Sequence, residues 1–315
     1  MHVKFSIILI AVLVYMSKLR SDYERGHLKT DHYFFSSPKI KERHKLLFLS
    51  DLHEKEFGKD NVLLLDRIRS EKPDCILIGG DMIVCHKPHF RKRKRNGDAI
   101  ENSVKFLNVL KQEFPVYFAY GNHELRLFEK AGLRTDRSGT VYSAEERCTA
   151  LQQSSQLLES LKGITVLDDS AARAGELSIR GISLTLDYYQ RLFLRKKKAF
   201  AADFLQKSPA EEDPERYHIW LLHSPLYFHE AADAGADLVL CGHFHGGTIR
   251  LPHFGGLMTP QYQFLVRECS GVFHYGQSAM LVNRGLGTHS VNIRINDLPE
   301  LSVIELAPPA VQHAE

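Results

Sequence analysis

The chain has few cysteines, and no pair of them is spaced as a metal-binding or redox pair. Its five cysteines are scattered and no CxxC is present, which excludes a zinc knuckle and a thioredoxin-like centre. An odd, scattered set favours free buried thiols in a reducing compartment, with one disulfide as the alternative. The formal net charge of +3 is too small to require a nucleic-acid partner, although the positive charge is clustered.

The chain is also short of long apolar runs, which bears on its N-terminus. Residues 5–16 form a charge-free, mostly apolar stretch between Lys4 and Lys18, whereas a membrane-spanning helix needs about 20 such residues. The stretch is typical of a signal-like segment or a shallow anchor, and no A-x-A cleavage signal follows it. We therefore expect residues 1–20 to be a retained membrane anchor or an uncleaved signal-like segment. A helix packed on the domain is the alternative. The Lys and Arg residues after the stretch favour the cytoplasmic face, with the exported face as the alternative.

Strands and helices alternate along the chain from Lys45 onward. Short apolar runs such as KLLFL, CILI and PVYF precede segments with helical spacing, and β-rich segments follow His245. This alternation predicts an α/β fold. We expect residues 21–44 to form a linker, residues 45–308 to form the domain and residues 309–315 to form a tail.

Five of the predicted strands end in side chains of the kind that bind metals. The strand ends read SDLH, GGD, GNHE, LLHSP and CGHFH in chain order. Because the carboxyl ends of parallel strands share the edge where α/β sheets bind ligands, we expect these side chains to form one site. In CGHFH the two histidines are at i and i+2, so on an extended chain they point the same way. Taken alone, that pair could equally be structural.

The ordered set D-x-H, GD, GNH[ED], H and GHxH resembles the calcineurin-like metallophosphoesterases over roughly residues 45–308. The stretches GHFHGGTIRLPHFGG and NRGLGTH resemble a bacterial membrane-anchored subfamily, similar to phosphodiesterases of UDP-diacylglucosamine-type lipid precursors. The resemblance implies a sandwich of two mixed β-sheets flanked by helices. It also implies two divalent metal ions and hydrolysis of phosphoesters.

The resemblance further implies which residues hold the metals. One ion would be held by Asp51, His53, Asp81 and His245, and the other by Asp81, Asn122, His223 and His243, with Asp81 bridging. A hydroxide held between the ions would attack phosphorus in line. His123 would protonate the leaving oxygen or stabilise its charge, with bracing of the turn as the alternative.

Two positions depart from the family pattern, and neither is a metal ligand in the family. Phe244 replaces a small hydroxyl residue between the two histidines, and Glu124 stands where Asp is common. We expect Phe244 to line the pocket and to favour an apolar part of the substrate. Arg284 is a candidate for phosphate binding, with a structural salt bridge as the alternative.

The donor types also bear on the metal. Imidazole, carboxylate and amide donors without thiolate suit Mn²⁺, which we favour, with Fe²⁺ or Zn²⁺ as alternatives. Two ions about 3.5–4 Å apart clamp both the attacking and the leaving oxygens. Two divalent ions outweigh two aspartates and one hydroxide, so the site would attract a phosphoryl anion.

Two basic clusters bear on the partner, FRKRKR at 90–95 and RLFLRKKKAF at 191–200. They favour an anionic membrane surface, with solvated loops as the alternative. Nucleic acid is disfavoured as a partner, because the two phenylalanines of the second cluster are weak evidence for a surface on which bases would stack. No protein partner is inferred. We expect a phosphodiesterase or pyrophosphatase acting on a lipid- or nucleotide-linked phosphoester. The alternatives are a phosphomonoesterase, a phosphodiesterase of soluble substrates and a metal-binding scaffold without turnover.

Overall fold

The computed structural model describes residues 2–86, 99–135, 140–192, 213–288 and 291–310, and two six-stranded β-sheets form its centre. The first sheet consists of β1 (Lys29–Ser36), β2 (His44–Leu49), β3 (Cys75–Ile78), β4 (Val116–Phe118), β5 (Thr165–Val166) and β15 (Glu300–Ala307). Its spatial order is β1-β15-β2-β3-β4-β5, and strands β2 to β5 run parallel. Strand β15 is antiparallel to β2 and parallel to β1, so the sheet is mixed.

The second sheet is also mixed and has a parallel centre. It consists of β6 (Ser170–Ala174), β7 (Leu177–Ile182), β8 (Tyr217–Leu222), β9 (Leu238–Cys241), β13 (Gly271–Tyr275) and β14 (Ser278–Val282). Its order is β13-β14-β9-β8-β7-β6, with antiparallel strands at both edges. A small sheet of β10 (Arg250–Leu251), β11 (Gly255–Met258) and β12 (Phe264–Val266) lies between β9 and β13 in the chain.

The central strands are apolar on both faces because each face meets a different core. In β8, Ile219 and Leu221 pack into the core between the sheets, while Trp220 and Leu222 pack into the core on the outer face. Alternate side chains of a strand point to opposite faces, so a strand covered on both sides reads as a continuous apolar run.

Helices cover the outer faces of both sheets. They are α2 (Val62–Glu71), α3 (Glu101–Glu113), α4 (Asn122–Lys130), α5 (Ala144–Ser160) and the short α6 (Phe228–Asp233). In α2 and α3, apolar residues three or four apart, such as Leu64 with Ile68 and Phe106 with Leu110, join the core of the first sheet. The predicted sandwich of two mixed sheets flanked by helices is therefore confirmed.

The N-terminal segment forms a helix, α1 (His2–Gly26), and the prediction of membrane association through residues 1–20 is wrong. Among the residues that the structure describes, no helix has the length and apolar character needed to cross a membrane. The physical reason is that the apolar stretch ends at Met16, and Lys18 and Arg20 follow within the same helix.

The residues assigned to a linker, 21–44, contain the end of α1 and the whole of β1. Strand β1 pairs in parallel with β15, and Lys29 lies opposite Glu300. Its sequence, KTDHYFFS, mixes polar and aromatic residues, and its side chains are exposed or only partly buried because β1 is an edge strand. An edge strand of this composition lacks the apolar run by which the central strands are recognised.

Candidate metal centre

The carboxyl edge of both sheets carries the eight residues that the sequence singled out, and all eight are buried. They are Asp51, His53, Asp81, Asn122, His123, His223, His243 and His245. Six of them lie on the loops that follow β2, β3, β8 and β9, and Asn122 and His123 begin α4, after β4. Backbone hydrogen bonds join these loops, for example from Asp51 N–H to the carbonyl of Gly80 at 2.9 Å.

Three residues form what we call the first donor group: Asp51, His53 and His245. His245 Nε2 lies 3.2 Å from Asp51 Oδ1 and 3.1 Å from His53 Nε2. One donor atom from each residue lies within 4.8 Å of the others. This spacing suits a single metal ion.

The second donor group contains Asp81, Asn122, His223 and His243. His223 Nε2 lies 3.2 Å from Asp81 Oδ2, and the donor atoms of Asp81, His223 and His243 also lie within 4.8 Å of one another. Asp81 Oδ2 is 3.8 Å from His53 Nε2, which places this carboxylate between the two groups. Its other oxygen, Oδ1, accepts the backbone N–H of His123 at 2.7 Å.

Several of these buried donor atoms make no hydrogen bond within the described parts of the chain. They include Asp81 Oδ2, Asn122 Oδ1 and His243 Nε2. Buried polar atoms in proteins are nearly always hydrogen-bonded, so a cluster of exceptions calls for an explanation. A pair of divalent cations provides one, because oxygen and imidazole lone pairs then face positive charge.

The backbone at this edge is strained at five of the donors. Asp51, His53, Asp81, His243 and His245 all have φ between 46° and 66°, in the left-handed region. Such conformations cost roughly 1–3 kcal/mol each and cluster at functional sites. These five donors follow β2, β3 and β9, and the loops after those strands turn them toward one point.

Close backbone approach at Gly242 lets the aspartate of one loop bind the next. A Cβ added at Gly242 would lie 2.2 Å from Asp51 Oδ2. With glycine there, Asp51 Oδ2 accepts the backbone N–H of His243 at 3.0 Å. This contact holds the loop after β9 against the loop after β2.

Three of the donor histidines are oriented by backbone carbonyls. The Nδ1 atom pairs with a carbonyl in His223 (Gly79, 2.7 Å), His245 (Gly287, 3.2 Å) and His53 (Ile83, 3.3 Å). A neutral ring that donates from Nδ1–H has the lone pair of Nε2 on its opposite side, toward the cluster.

The electrostatics of the cluster keep its carboxylates ionised. Burial opposes ionisation of Asp81, but the imidazoles of His223 and His123 hold its pKa well below the ordinary value. Burial also opposes charge on His223, yet the carboxylates of Asp81 and Asp51 raise its pKa to about 10. Burial and the charge of His223 lower the pKa of His243 to about 3. At neutral pH the ring of His243 is therefore neutral, whereas the ring of His223 carries a proton that a metal ion would have to displace.

Glu124 contributes to the site in a way that its position in the motif did not suggest. Its buried carboxylate accepts the backbone N–H groups of Asp81 and Met82 at 2.8 Å each and that of Gly121 at 3.0 Å. Burial and the charge of Asp81 raise the pKa of Glu124 to about 7. Glu124 therefore fixes the loop that carries Asp81. The available signal was a glutamate at the third position of the helix that begins after Gly121, from where its side chain can accept the N–H of the N-cap residue.

His123 lies next to the second donor group and has a defined orientation. Its Nδ1 accepts the backbone N–H of Cys85 at 2.8 Å, and its Nε2 lies 4.0 Å from Asp81 Oδ2. An accepting Nδ1 carries no proton, so the proton of the neutral ring is on Nε2. The ring thus presents a hydrogen-bond donor to the cluster.

The two weaker candidates from the sequence, Phe244 and Arg284, have different surroundings. Phe244 is 1% exposed, and its ring centroid is 5.9 Å from that of His243. Arg284 donates to Glu300 at 2.7 Å and also pairs with Asp31. Tyr189, which the sequence did not indicate, packs its buried ring edge-on to His243 at 5.0 Å.

The motif arrangement agrees with comparisons to known proteins. The sequence model of the family described as calcineurin-like phosphoesterase matches residues 44–247, more than half of the chain. The chain belongs to this family. As a member of this dimetal-dependent family it is a hydrolase of phosphoester bonds, which confirms the predicted enzyme class.

Several bacterial relatives align along most of the chain. The uncharacterised protein YpbG of Bacillus subtilis (strain 168) is 26% identical over 305 residues, 96% of each chain. The uncharacterised metallophosphoesterase YkoQ of the same organism is 26% identical over 82% of this chain and 81% of its own. The phosphodiesterase YaeI of Escherichia coli (strain K12) is 26% identical over 83% and 82%.

The basic cluster at 90–95 lies outside the described residues, as does most of the basic cluster at 191–200.

Proposed function

We propose that this phosphoesterase is a dimetal phosphodiesterase or pyrophosphatase. The observation that carries the proposal is the meeting of seven buried metal-type donors, several of them unpartnered, beside the Nε2–H of His123. The name of the YaeI relative, a phosphodiesterase, supports the preference for diesters.

In this proposal the first donor group and Asp81 hold one ion, and the second donor group holds the other. Bound divalent ions supply a nucleophilic water at neutral pH and neutralise charge on the phosphoryl oxygens. Ionised Asp51 and Asp81 reduce the positive charge of the centre, while Glu124 holds the Asp81 loop in place.

His123 acts on the leaving group. Because its Nδ1 is occupied by the N–H of Cys85, its Nε2–H is the proton that faces the site. A fixed donor at this position stabilises negative charge as it develops on the leaving oxygen. The hydrogen bond from Cys85 favours charge stabilisation over a ring protonated on both nitrogens.

The proposal also includes the identity of the metal ions and of the substrate. Mn²⁺ is the favoured ion, with Fe²⁺ or Zn²⁺ as alternatives, since the donors are nitrogen and oxygen only. Three further points remain predictions from the sequence. They are a lipid- or nucleotide-linked substrate, contact of the substrate with Phe244 and Arg284, and an anionic membrane surface as a partner.

The test is hydrolysis of bis-p-nitrophenyl phosphate against p-nitrophenyl phosphate in Mn²⁺, with Asp81→Asn as the blank. A diester preference that disappears in the variant supports the proposal. A monoester preference would show a phosphomonoesterase instead. Bound metal without turnover of either ester would count against catalysis and favour a scaffold.

A further inference from the structure

A buried arginine outside all the motifs lies directly behind the first donor group. Arg294 is 1% exposed. The two N–H groups of its Nη2 are shared among three backbone carbonyls of one loop, those of Arg284 (2.9 Å), Gly285 (2.9 Å) and Gly287 (2.5 Å). Its Nη1 donates to the carbonyl and to Oδ2 of Asp297, at 3.1 and 3.2 Å.

The loop whose carbonyls accept hydrogen bonds from Arg294 also contacts two metal-type donors. The carbonyl of Gly287 is the partner of His245 Nδ1 at 3.2 Å. The N–H of Gly287 donates to the carbonyl of Asp51 at 2.6 Å. Arg294 is therefore one hydrogen bond removed from the backbone of Asp51 and from the ring of His245.

The partner of Arg294 contacts the same group from another side. Asp297 is fully buried, and a Cβ added at Gly246 would lie 1.9 Å from its Oδ1. Gly246 directly follows His245 and has φ +59°, so any side chain there would be strained and would collide with Asp297. The Arg294–Asp297 pair thus packs against the turn that carries His245.

The C-terminal part of α1 holds this pair in place. Ser21 Oγ accepts the backbone N–H of Arg294 at 3.1 Å. The carboxylate of Glu24, which is fully buried, accepts the N–H groups of Asn296 and Asp297 at 3.0 and 2.7 Å. The N-terminal helix is therefore joined through segment 294–297 to the first donor group.

We propose that Arg294 is a positioning residue for the first donor group. It fixes the carbonyl of Gly287, and that carbonyl holds the imidazole of His245 with Nε2 toward Asp51. The ring of His223 in the second donor group is held without this clamp, because the carbonyl that orients it belongs to Gly79, directly after β3. The inference rests on the proposed function only in taking the cluster as a metal centre.

The test compares the metal affinities of the two groups in Arg294→Lys. Lysine keeps a positive charge beside Asp297, but a single ammonium cannot reproduce the planar fork of a guanidinium. We expect Mn²⁺ affinity of the first donor group to fall by about 10- to 100-fold, as for other residues that orient metal ligands, with the second group unchanged. Equilibrium dialysis of the metal-depleted full chain against buffered Mn²⁺, with bound metal counted, gives the two stepwise binding constants, of which one should weaken in Arg294→Lys.

The matched control is Arg180→Lys, because Arg180 is also a buried arginine, 2% exposed, and packs over Trp220. We expect it to lower thermal stability without separating the two affinities. An equal loss at both groups in Arg294→Lys, or the same pattern in Arg180→Lys, would overturn the proposal.

A double variant keeps the test decisive if Arg294→Lys also loosens the fold. In a His245→Gln background the first donor group is already impaired, so adding Arg294→Lys should cause no further loss of bound Mn²⁺. A further loss, of the same size as in the native background, would show that Arg294 does not act through His245. Turnover enters neither measurement, so a failure of the phosphodiesterase proposal leaves this result readable.

Discussion

His223 and His245 follow neighbouring strands, β8 and β9, yet their rings are held by different kinds of structure. The Nδ1 atom of His223 pairs with Gly79, which directly follows a strand of the opposite sheet. That of His245 pairs with Gly287, in a loop held by Arg294. One half of the metal centre is thus oriented by sheet ends, whereas the other needs a separate buried clamp.

The two donor groups therefore depend on different parts of the chain. The second donor group needs the two sheets to meet, because Gly79 follows β3 and His223 follows β8. The first donor group needs, in addition, the loop that bears Gly287 and the segment that ends at Asp297. The most effective changes should therefore be those that remove both halves at once.

The largest effect is expected for Asp81→Asn, which should affect both donor groups because Asp81 lies between them. Loss of its negative charge should impair metal binding on both sides and lower turnover on the order of 10³-fold. Bound Mn²⁺ and turnover of bis-p-nitrophenyl phosphate are measured together, with the exposed Asp66→Asn as control. Unchanged metal content in Asp81→Asn would contradict the bridging position.

The next largest effect is expected for His123→Ala, which tests a residue belonging to neither donor group. The variant should lose about 10²- to 10³-fold in hydrolysis of an alkyl phosphodiester, whose poor leaving group depends on the Nε2–H of His123. A nitrophenyl ester should be affected far less. Metal content should stay native, and equal losses on both esters would exclude a role at the leaving group.

A smaller effect is expected for pH, and it sharpens the comparison. The carboxylates of Asp81 and Asp51 raise the pKa of His223 to about 10 despite its burial, so a metal ion entering the second donor group must displace a proton. Affinity there should rise by about tenfold per pH unit below pH 10.

Calorimetric titration of Mn²⁺ in buffers of different ionisation enthalpy would count the released protons. His223→Gln should remove one of them. Proton release that is the same in His223→Gln as in the native chain would contradict the raised pKa.

The smallest effect is expected for Glu24→Gln in the last turn of α1. The amide keeps one acceptor oxygen where the carboxylate accepts the N–H groups of Asn296 and Asp297, so stability should fall by about 1–3 kcal/mol. Urea unfolding measures the loss, with the exposed Glu145→Gln as control. If Glu24→Gln is as stable as Glu145→Gln, α1 does not brace segment 294–297.

The second donor group could be foreseen because its residues end apolar runs that are recognisable as central strands. GGD follows CILI and LLHSP ends YHIWLL, so topology alone brings Asp81 and His223 together. The oxygen and nitrogen donors at those strand ends could therefore be predicted without knowledge of the loop conformations.

The clamp on the first donor group could not be foreseen. Ser21 and Arg294 are 273 positions apart, and neither lies in a periodic pattern or a motif. The sequence predicts a linker at 21–44, where the structure has the end of α1 and β1, because β1 lacks the apolar run of a central strand. A short apolar stretch followed by charges gave no sign that Ser21 and Glu24 are buried against the domain.

The most direct test of the central claim is a co-titration of the metal-depleted chain with Mn²⁺. Bound metal and turnover of bis-p-nitrophenyl phosphate are followed in the same samples. Two ions should bind, and turnover should rise with occupancy of the second rather than the first. Full turnover with a single bound ion, or turnover independent of metal, would contradict a centre built from both donor groups.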